Sequence, residues 1–155
     1  MTVSKTFKRL LLACLFLCVY SLSYTQTAED KAEVEAAAFD YVEGFYQGDT
    51  SRIHRSILPE VNKYGYYRPK DKTEYDGGPM SFKEMIAYVK RVKEKKRFPK
   101  PDAPKKVELL DVQDQTAAAK VTAWWGTDYL LLGKYDGKWM VVQILWQSPP
   151  PMAKG

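Results

Sequence analysis

The chain has 155 residues, of which 45% are hydrophobic and 14% aromatic, so it contains enough apolar material for one folded domain and is not intrinsically disordered. The formal net charge is +5, and three of the cations lie within the first nine residues, which argues against a strongly basic nucleic-acid-binding domain. Both cysteines, Cys14 and Cys18, lie in an amino-terminal apolar segment. A disulfide framework or a cysteine-ligated metal is therefore excluded from the domain that follows.

The first 25 residues have the features of a secretory signal peptide. Three cations, ending at Arg9, precede a mostly apolar run over 10–22 that is too short to span a bilayer, and small residues favour cleavage after Thr25. We therefore expect an exported protein, periplasmic or secreted, with no transmembrane span. Removing three cations and no acids lowers the formal net charge from +5 to +2. Lipidation at Cys14 is the weaker alternative, because the apolar run continues well beyond that residue.

Three helices are predicted in the first two thirds of the mature chain. The first covers 28–47, where apolar residues recur at helical spacing. The second covers about 50–58 and ends at Pro59, because proline cannot continue a helix. The third begins at a capping box formed by Ser81 and Glu84 and continues to about residue 96.

The remaining segments predict strands and turns. A short strand over 62–68 and a loop over 69–79 precede the third helix, and a proline-rich linker over 98–104 follows it. Four segments then alternate with a period of two, at 106–113, 116–125, 127–135 and 138–146. Helices followed by antiparallel strands predict an α+β domain over 26–147, with helices packed on one face of the sheet and a proline-rich tail at 148–155.

Asp136 and Gly137 predict a two-residue hairpin turn, which sorts the last two strands into two faces. The turn places Tyr135 opposite Lys138 and, by continued alternation, Tyr129 opposite Ile144. We assign the face without an internal charge to the concave, helix-covered side; it comprises Tyr129, Leu131, Gly133, Met140, Val142, Ile144 and Trp146. The opposite face is too apolar for free exposure, which predicts a homodimer.

Several stretches of the chain resemble the NTF2-like (cone-fold) superfamily and, within it, the groups labelled putative lumazine-binding and SnoaL-like. The resemblance lies in residues 41–49, 52–59, 128–139 and the end of the last strand at 145–146. It implies three helices packed on a curved antiparallel sheet, a cone that often holds a small apolar ligand, and frequent dimerisation. It implies no established catalytic residues. Relatives often have a histidine before the proline that ends the second helix, where this chain has Leu58.

Aromatic side chains are the main candidates for ligand recognition. Tyrosine hydroxyls could orient a small hydrophobic or heteroaromatic molecule inside the cone, without a dedicated cofactor. The residues predicted to line this pocket are Tyr41, Phe45, Tyr64, Trp125, Tyr129, Met140 and Trp146. The simpler alternative is that the same residues fill the core.

Two other functions remain open, and no catalysis is established. A cofactor-independent isomerase or dehydratase would use His54, Asp40 or Glu43 as a base and requires that His54 or Asp40 point into the cone. The hairpin alternation points Asp128 away from the concave side, so we do not assign it as a base. One histidine without cysteines cannot supply a standard zinc site. A non-enzymatic interaction module would instead have a filled core.

Nine cations and two acids lie between residues 90 and 106. This basic segment could attract an anionic ligand, a glycan or a membrane surface. A solvated end of the third helix followed by a basic loop is the simpler interpretation, because cations favour the negative end of a helix.

Overall fold

The computed structural model of the protein describes residues 28–69 and 72–150. Helix α1 occupies 28–47, α2 Thr50–Ser56 and α3 Phe82–Glu94. The strands are β1 Ile57–Tyr67, β2 Asp76–Pro79, β3 Lys105–Val112, β4 Thr116–Ala123, β5 Gly126–Tyr135 and β6 Lys138–Gln147. The predicted signal peptide and the end of the proline-rich tail lie outside the described residues. In 28–69 and 72–150, no helix is long and apolar enough to cross a membrane.

The six strands form one sheet in the order β2-β1-β6-β5-β4-β3. β1 pairs with β6 in parallel, whereas every other neighbouring pair is antiparallel. The prediction of an α+β domain is confirmed. The sheet is mixed rather than purely antiparallel, and the helices do not form one amino-terminal block. Both differences arise because β1 and β2 lie between α2 and α3 in the chain, and β1 adds to the sheet beside the last strand.

Strand β1 begins where the second helix was expected to continue. The helix ends at Ser56, and Ile57 already has extended backbone angles, φ −122° and ψ 130°. Pro59 therefore lies inside β1 rather than after a helix. The pairing of β1 with β6 shifts register between Ile57 and Asn62, and this irregularity accommodates a residue that cannot donate to the ladder. Strand β2, which was expected to be loop, pairs with the end of β1.

Helix α3 and the last hairpin confirm their local sequence signals. Ser81 and Glu84 form both hydrogen bonds of the capping box. Met85 and Val89, on the face of α3 that packs against the core, are fully buried. The turn between β5 and β6 has positive φ at both central residues, Asp136 at 49° and Gly137 at 76°. This geometry matches the right-handed twist of the flanking strands.

The faces of β5 and β6 are inverted relative to the prediction. Leu130 and Leu132 are buried, whereas Tyr129 and Leu131 are 51% and 47% exposed. A bulge between Leu131 and Leu132 interrupts the alternation, so Tyr129 pairs with Leu145 rather than with Ile144. Only two of the seven residues assigned to the concave face, Ile144 and Trp146, lie there.

The inversion follows from the charged residues, which find partners inside the fold. Asp128 is fully buried and accepts hydrogen bonds from Tyr41 and Trp125. The ammonium of Lys134 lies 2.5 Å from the carboxylate of Asp30 on α1. Charge in the strand therefore marked the inner face here, because each charge is paired across the core.

Candidate functional site

A small cavity lies between α1, α3 and the inner face of the sheet. Its volume is about 140 Å³. The residues that line it are Phe45, Lys63, Met80, Tyr88, Trp125 and Trp146. A dry cavity on the order of 150 Å³ can hold one benzene-sized ring. The cavity therefore offers aromatic walls and a single cation to a flat group of about that size.

Aromatic packing shapes the cavity walls. Tyr41 and Phe45 are one helical turn apart on α1, with ring centroids 5.2 Å apart in an edge-to-face arrangement. Trp125, in the turn between β4 and β5, lies 5.5 Å from the Phe45 ring and 6.5 Å from the Tyr41 ring. Tyr88 on α3 lies 5.9 Å from Phe45 on the other side. These contacts fix the orientation of the rings that face the cavity.

Trp146 reaches the cavity because its neighbour on β1 is a glycine. Gly65 pairs with Trp146 across the parallel β1–β6 ladder. A Cβ atom on Gly65 would lie 1.6 Å from Nε1 of Trp146 and 2.1 Å from the adjacent ring carbon. The indole therefore lies directly against the Gly65 backbone, in space that any other residue would occupy.

The polar centre of the site is a buried lysine bound to a buried carboxylate. Lys63 is 5% exposed and Asp128 is fully buried. The ammonium Nζ of Lys63 donates to the Tyr41 hydroxyl at 2.6 Å, and that hydroxyl donates to Oδ1 of Asp128 at 2.7 Å. Nζ also lies 3.5 Å from the same carboxylate oxygen. The indole N–H of Trp125 donates to Oδ2 at 2.6 Å, so both carboxylate oxygens are hydrogen-bonded.

Burial changes the proton affinities of this group. Removal from water lowers the pKa of Lys63, and the charge of Asp128 opposes that change. Burial, together with the Asp128 carboxylate, raises the pKa of Tyr41 well above 10, so the phenol stays protonated. Nζ also lies 5.2 Å from the centre of the Phe45 ring and 5.9 Å from that of Trp146. Since an ammonium has three donors, Nζ keeps the capacity to bind an acceptor in the cavity.

The structure brings together four of the seven residues predicted to line the pocket. Phe45, Trp125 and Trp146 line the cavity, and Tyr41 lies behind it as the hydrogen-bond partner of Lys63. The other three, Tyr64, Tyr129 and Met140, lie on the opposite face of the sheet. Tyr64 is 38% exposed there and packs against Tyr66, with ring centroids 5.4 Å apart.

Sequence reasoning missed Lys63, Met80 and Tyr88 and excluded Asp128. The expectation that Asp128 points away from the concave side is wrong, because it rested on the inverted assignment of the strand faces. The side chain of Lys63 points inward, as do the positions of Val61 and Gly65. Tyr64 and Tyr66 alternate with these residues and point outward. The signal available in the sequence was the alternation along β1, which places Lys63 on the same face as the buried residues Val61 and Gly65.

The residues considered as bases lie outside the cavity. His54 is exposed, and its ring packs against Phe82 at 5.3 Å between centroids. Asp40 binds both Arg52, at 2.5 Å, and Arg55. Burial acts to raise the pKa of Asp40, but the hydrogen bonds and charges of Arg55 and Arg52 outweigh it and lower that pKa. The version of the enzyme alternative that needs His54 or Asp40 inside the cone is therefore contradicted.

The third candidate base, Glu43, bonds to Lys105 and Gln47 on the outside of α1. It borders a wider, open groove of about 460 Å³ between α1 and the linker that precedes β3. Across 28–69 and 72–150, no group of three His, Cys, Asp or Glu residues is placed to hold a metal ion.

Comparison with known proteins connects this geometry to a family. A family model described as "Putative lumazine-binding" matches residues 29–147. Similar solved structures include NTF2-like proteins of unknown function from three bacteria, and no protein with a curated description matches the chain significantly.

The structural similarity covers most of both chains but leaves little sequence in common. The protein from Silicibacter pomeroyi DSS-3 is 18% identical, with a TM-score of 0.62 over 79% of this chain and 98% of its own. The corresponding values for the protein from Methylobacillus flagellatus KT are 19%, 0.58, 78% and 93%. For that from Shewanella baltica OS155 they are 22%, 0.52, 84% and 97%. At such identities the likeness supports the fold alone.

Proposed function

The chain belongs to the NTF2-like family described as "Putative lumazine-binding", and from that premise we propose that it binds a small heteroaromatic molecule in the cavity beside Lys63. The observation that carries the proposal is a buried ammonium at the wall of a cavity that is otherwise lined by four aromatic residues and Met80. The rings of Phe45, Trp125 and Trp146 would pack against the faces and edges of the ligand. Nζ of Lys63 would donate to a carbonyl oxygen or ring nitrogen and thereby orient it.

The cavity volume constrains the size of the bound group. About 140 Å³ accommodates one ring, so the second ring of a bicyclic molecule such as lumazine would extend toward the cavity mouth. We therefore expect a monocyclic compound with the same carbonyl pattern, such as uracil, to retain much of the interaction. A molecule this small would bind with roughly micromolar to millimolar affinity.

Calorimetric titration of the purified protein with lumazine and with uracil tests the proposal. Trp125 and Trp124 are adjacent, but Trp125 lines the cavity whereas Trp124 is 47% exposed. We expect Trp125→Phe to weaken binding by about tenfold or more, because it removes a wall of the cavity and the indole donor to Asp128. Trp124→Phe is the matched control and should bind as the wild type does. Equal affinities in the two variants, or no heat with either compound, would contradict the proposal.

A second candidate is the non-enzymatic interaction module. The observation in its favour is the cavity volume, which is below the roughly 300 Å³ at which pockets for drug-sized ligands begin. The titration above separates the two candidates, since an interaction module with a filled core binds neither compound.

We also propose that the protein is exported through the signal peptide over 1–25 and forms a homodimer. Support for the dimer comes from an apolar row that crosses the outer face of three strands. Tyr129 pairs with Leu145, and Leu145 pairs with Tyr64. Their exposed fractions are 51%, 47% and 38%. Two copies related by a two-fold axis could bury this row against itself.

A further inference from the structure

The Lys63 amine has the surroundings of a nucleophile as well as those of a hydrogen-bond donor. It lies at the wall of the cavity, at the end of an apolar stem, and only 5% of the residue is exposed. Lysines removed from water in apolar pockets are the ones that react with carbonyl compounds, because more of the amine is uncharged there. Burial lowers the pKa of Lys63 in agreement with this placement.

A proton acceptor is within reach of the amine through one hydroxyl. Nζ lies 2.6 Å from the oxygen of Tyr41, and that hydroxyl lies 2.7 Å from Oδ1 of Asp128. Tyr41 can accept a proton from Nζ while its own proton passes to Asp128, so no phenolate forms. This route frees the nitrogen lone pair and stores the proton on a carboxylate that is buried beside the reacting atoms.

We propose that Lys63 forms a reversible imine with a small aromatic aldehyde bound in the cavity. The inference rests on the proposed function, since it assigns a reaction to the same cavity. Nζ attacks the carbonyl carbon, and a C–N bond forms as the C=O π bond opens to a carbinolamine. One proton passes from the nitrogen to the oxygen as the carbinolamine forms. The proton held on Asp128 then returns through the Tyr41 hydroxyl to the same oxygen, so that the C–O bond breaks, water leaves and the C=N bond forms.

The step balances without any further reactant. One ammonium and one aldehyde become one protonated imine and one water, with two ammonium protons leaving on the oxygen. The resulting cation stays beside the Asp128 carboxylate, which already lies 3.5 Å from Nζ. The aromatic walls restrict the aldehyde to about one ring, as the volume of about 140 Å³ requires.

Reductive trapping tests the inference on the purified protein. Benzaldehyde and sodium cyanoborohydride at neutral pH convert each imine into a stable benzyl group, which peptide mass spectrometry assigns to individual lysines. We expect Lys63 to be labelled at least about tenfold faster than the exposed lysines Lys83 and Lys93. Labelling of Lys63 at the same rate as these lysines, or more slowly, would overturn the inference. The measurement uses the wild-type protein, so its result does not depend on whether a variant folds.

Two variants test the proton route. Tyr41→Phe keeps the amine and the ring but removes the hydroxyl, so we expect the rate of labelling at Lys63 to fall about tenfold. Tyr66→Phe is the matched control, because Tyr66 lies on the same strand as Lys63 and faces away from the cavity. An equal labelling rate in both variants would overturn the assignment of Tyr41 and Asp128 as the proton route.

The outcomes separate this inference from the function on which it rests. Binding of lumazine or uracil with no preferential label at Lys63 overturns the imine and leaves the binding cavity in place. A preferential label without binding of either compound supports the imine and overturns the heteroaromatic ligand. If neither occurs, both proposals fail.

Discussion

Lys63 retains a charged group inside the core because its polar and aromatic neighbours compensate for its burial. Its ammonium has the Tyr41 hydroxyl at 2.6 Å, the Asp128 carboxylate at 3.5 Å and the aromatic faces around it. Removing one partner of such a pair leaves the other buried without compensation. The same arrangement that makes the lysine tolerable leaves one of its donors available to the cavity.

Gly65 is required by one contact, with the indole of Trp146. We expect Gly65→Ala to destabilise the protein by about 2 kcal/mol, because its methyl group would overlap the Trp146 indole and force it to move. The displaced indole would also weaken binding of lumazine or uracil. Urea unfolding and calorimetric titration measure the two effects.

Gly78→Ala provides the control for this substitution. Gly78 pairs with Gly65 across β1 and β2, yet a Cβ there would meet nothing within 4 Å. Its free energy of unfolding should change by no more than about 0.5 kcal/mol. Equal losses in the two variants would show that the β1–β2 backbone, rather than the indole contact, requires glycine.

Individual site residues were only partly predictable from the sequence. Tyr41 and Phe45 could be placed because helical spacing and aromatic character both point toward the core, and Trp125 because of its aromatic character. Lys63 and Asp128 could not be placed, because the burial of a charged residue can be inferred only when its partner is known. These two partners lie 65 residues apart in the chain. Hydrophobic patterning treats each of these two residues separately and assigns both to solvent.

Helices α1 and α2 are held together by a polar contact at their outer surface. Asp40 on α1 binds Arg52 and Arg55 on α2, and these bonds lower its pKa against the opposing effect of burial. Because the folded-state pKa is lowered, ionised Asp40 stabilises the native state at pH values above its unfolded value of about 3.8. That contribution is lost as the pH falls through the folded-state pKa.

We therefore expect Asp40→Asn to lower the free energy of unfolding by about 1 kcal/mol at pH 7. The difference from the wild type should shrink once the pH falls below about 4. Urea unfolding across this range measures it. Glu60→Gln, at an exposed site on β1, is the control and should leave stability nearly unchanged. A difference between wild type and Asp40→Asn that stays constant with pH would exclude the ion pairs as its cause.

At the level of elements, local signals predicted what local contacts determine. The α3 capping box and the Asp136-Gly137 turn formed as expected, since each depends on residues a few positions apart. The start of β1 and the inner and outer faces of β5 and β6 were not predicted correctly. Both depend on bulges, between Ile57 and Asn62 and between Leu131 and Leu132, that form only when a strand meets its neighbour.

At the scale of the whole molecule, Tyr64, Tyr129 and Leu145 form an apolar row on the outer face of the sheet. We expect Leu145→Lys to convert the proposed homodimer into a monomer, because it places two like charges at the centre of a self-complementary face. Analytical ultracentrifugation measures the change in mass. Gln115→Lys adds the same charge at an exposed site in the β3–β4 turn and should remain dimeric. A monomeric wild type, or a dimeric Leu145→Lys, would contradict the proposed interface.

The parallel pairing of β1 with β6 also sets the order in which the molecule can assemble. β3, β4, β5 and β6 form successive hairpins from nearby segments, whereas β1 must wait for a strand some 80 residues later in the chain. Closing so long a loop is slow, so we expect docking of β1 to be a late event in folding. Lys63 and Trp146 come from these two strands, and the cavity therefore comes into existence only at that step. A compound that occupies the cavity would hold β1 against β6, and it would therefore slow both the release of β1 and the unfolding of the protein.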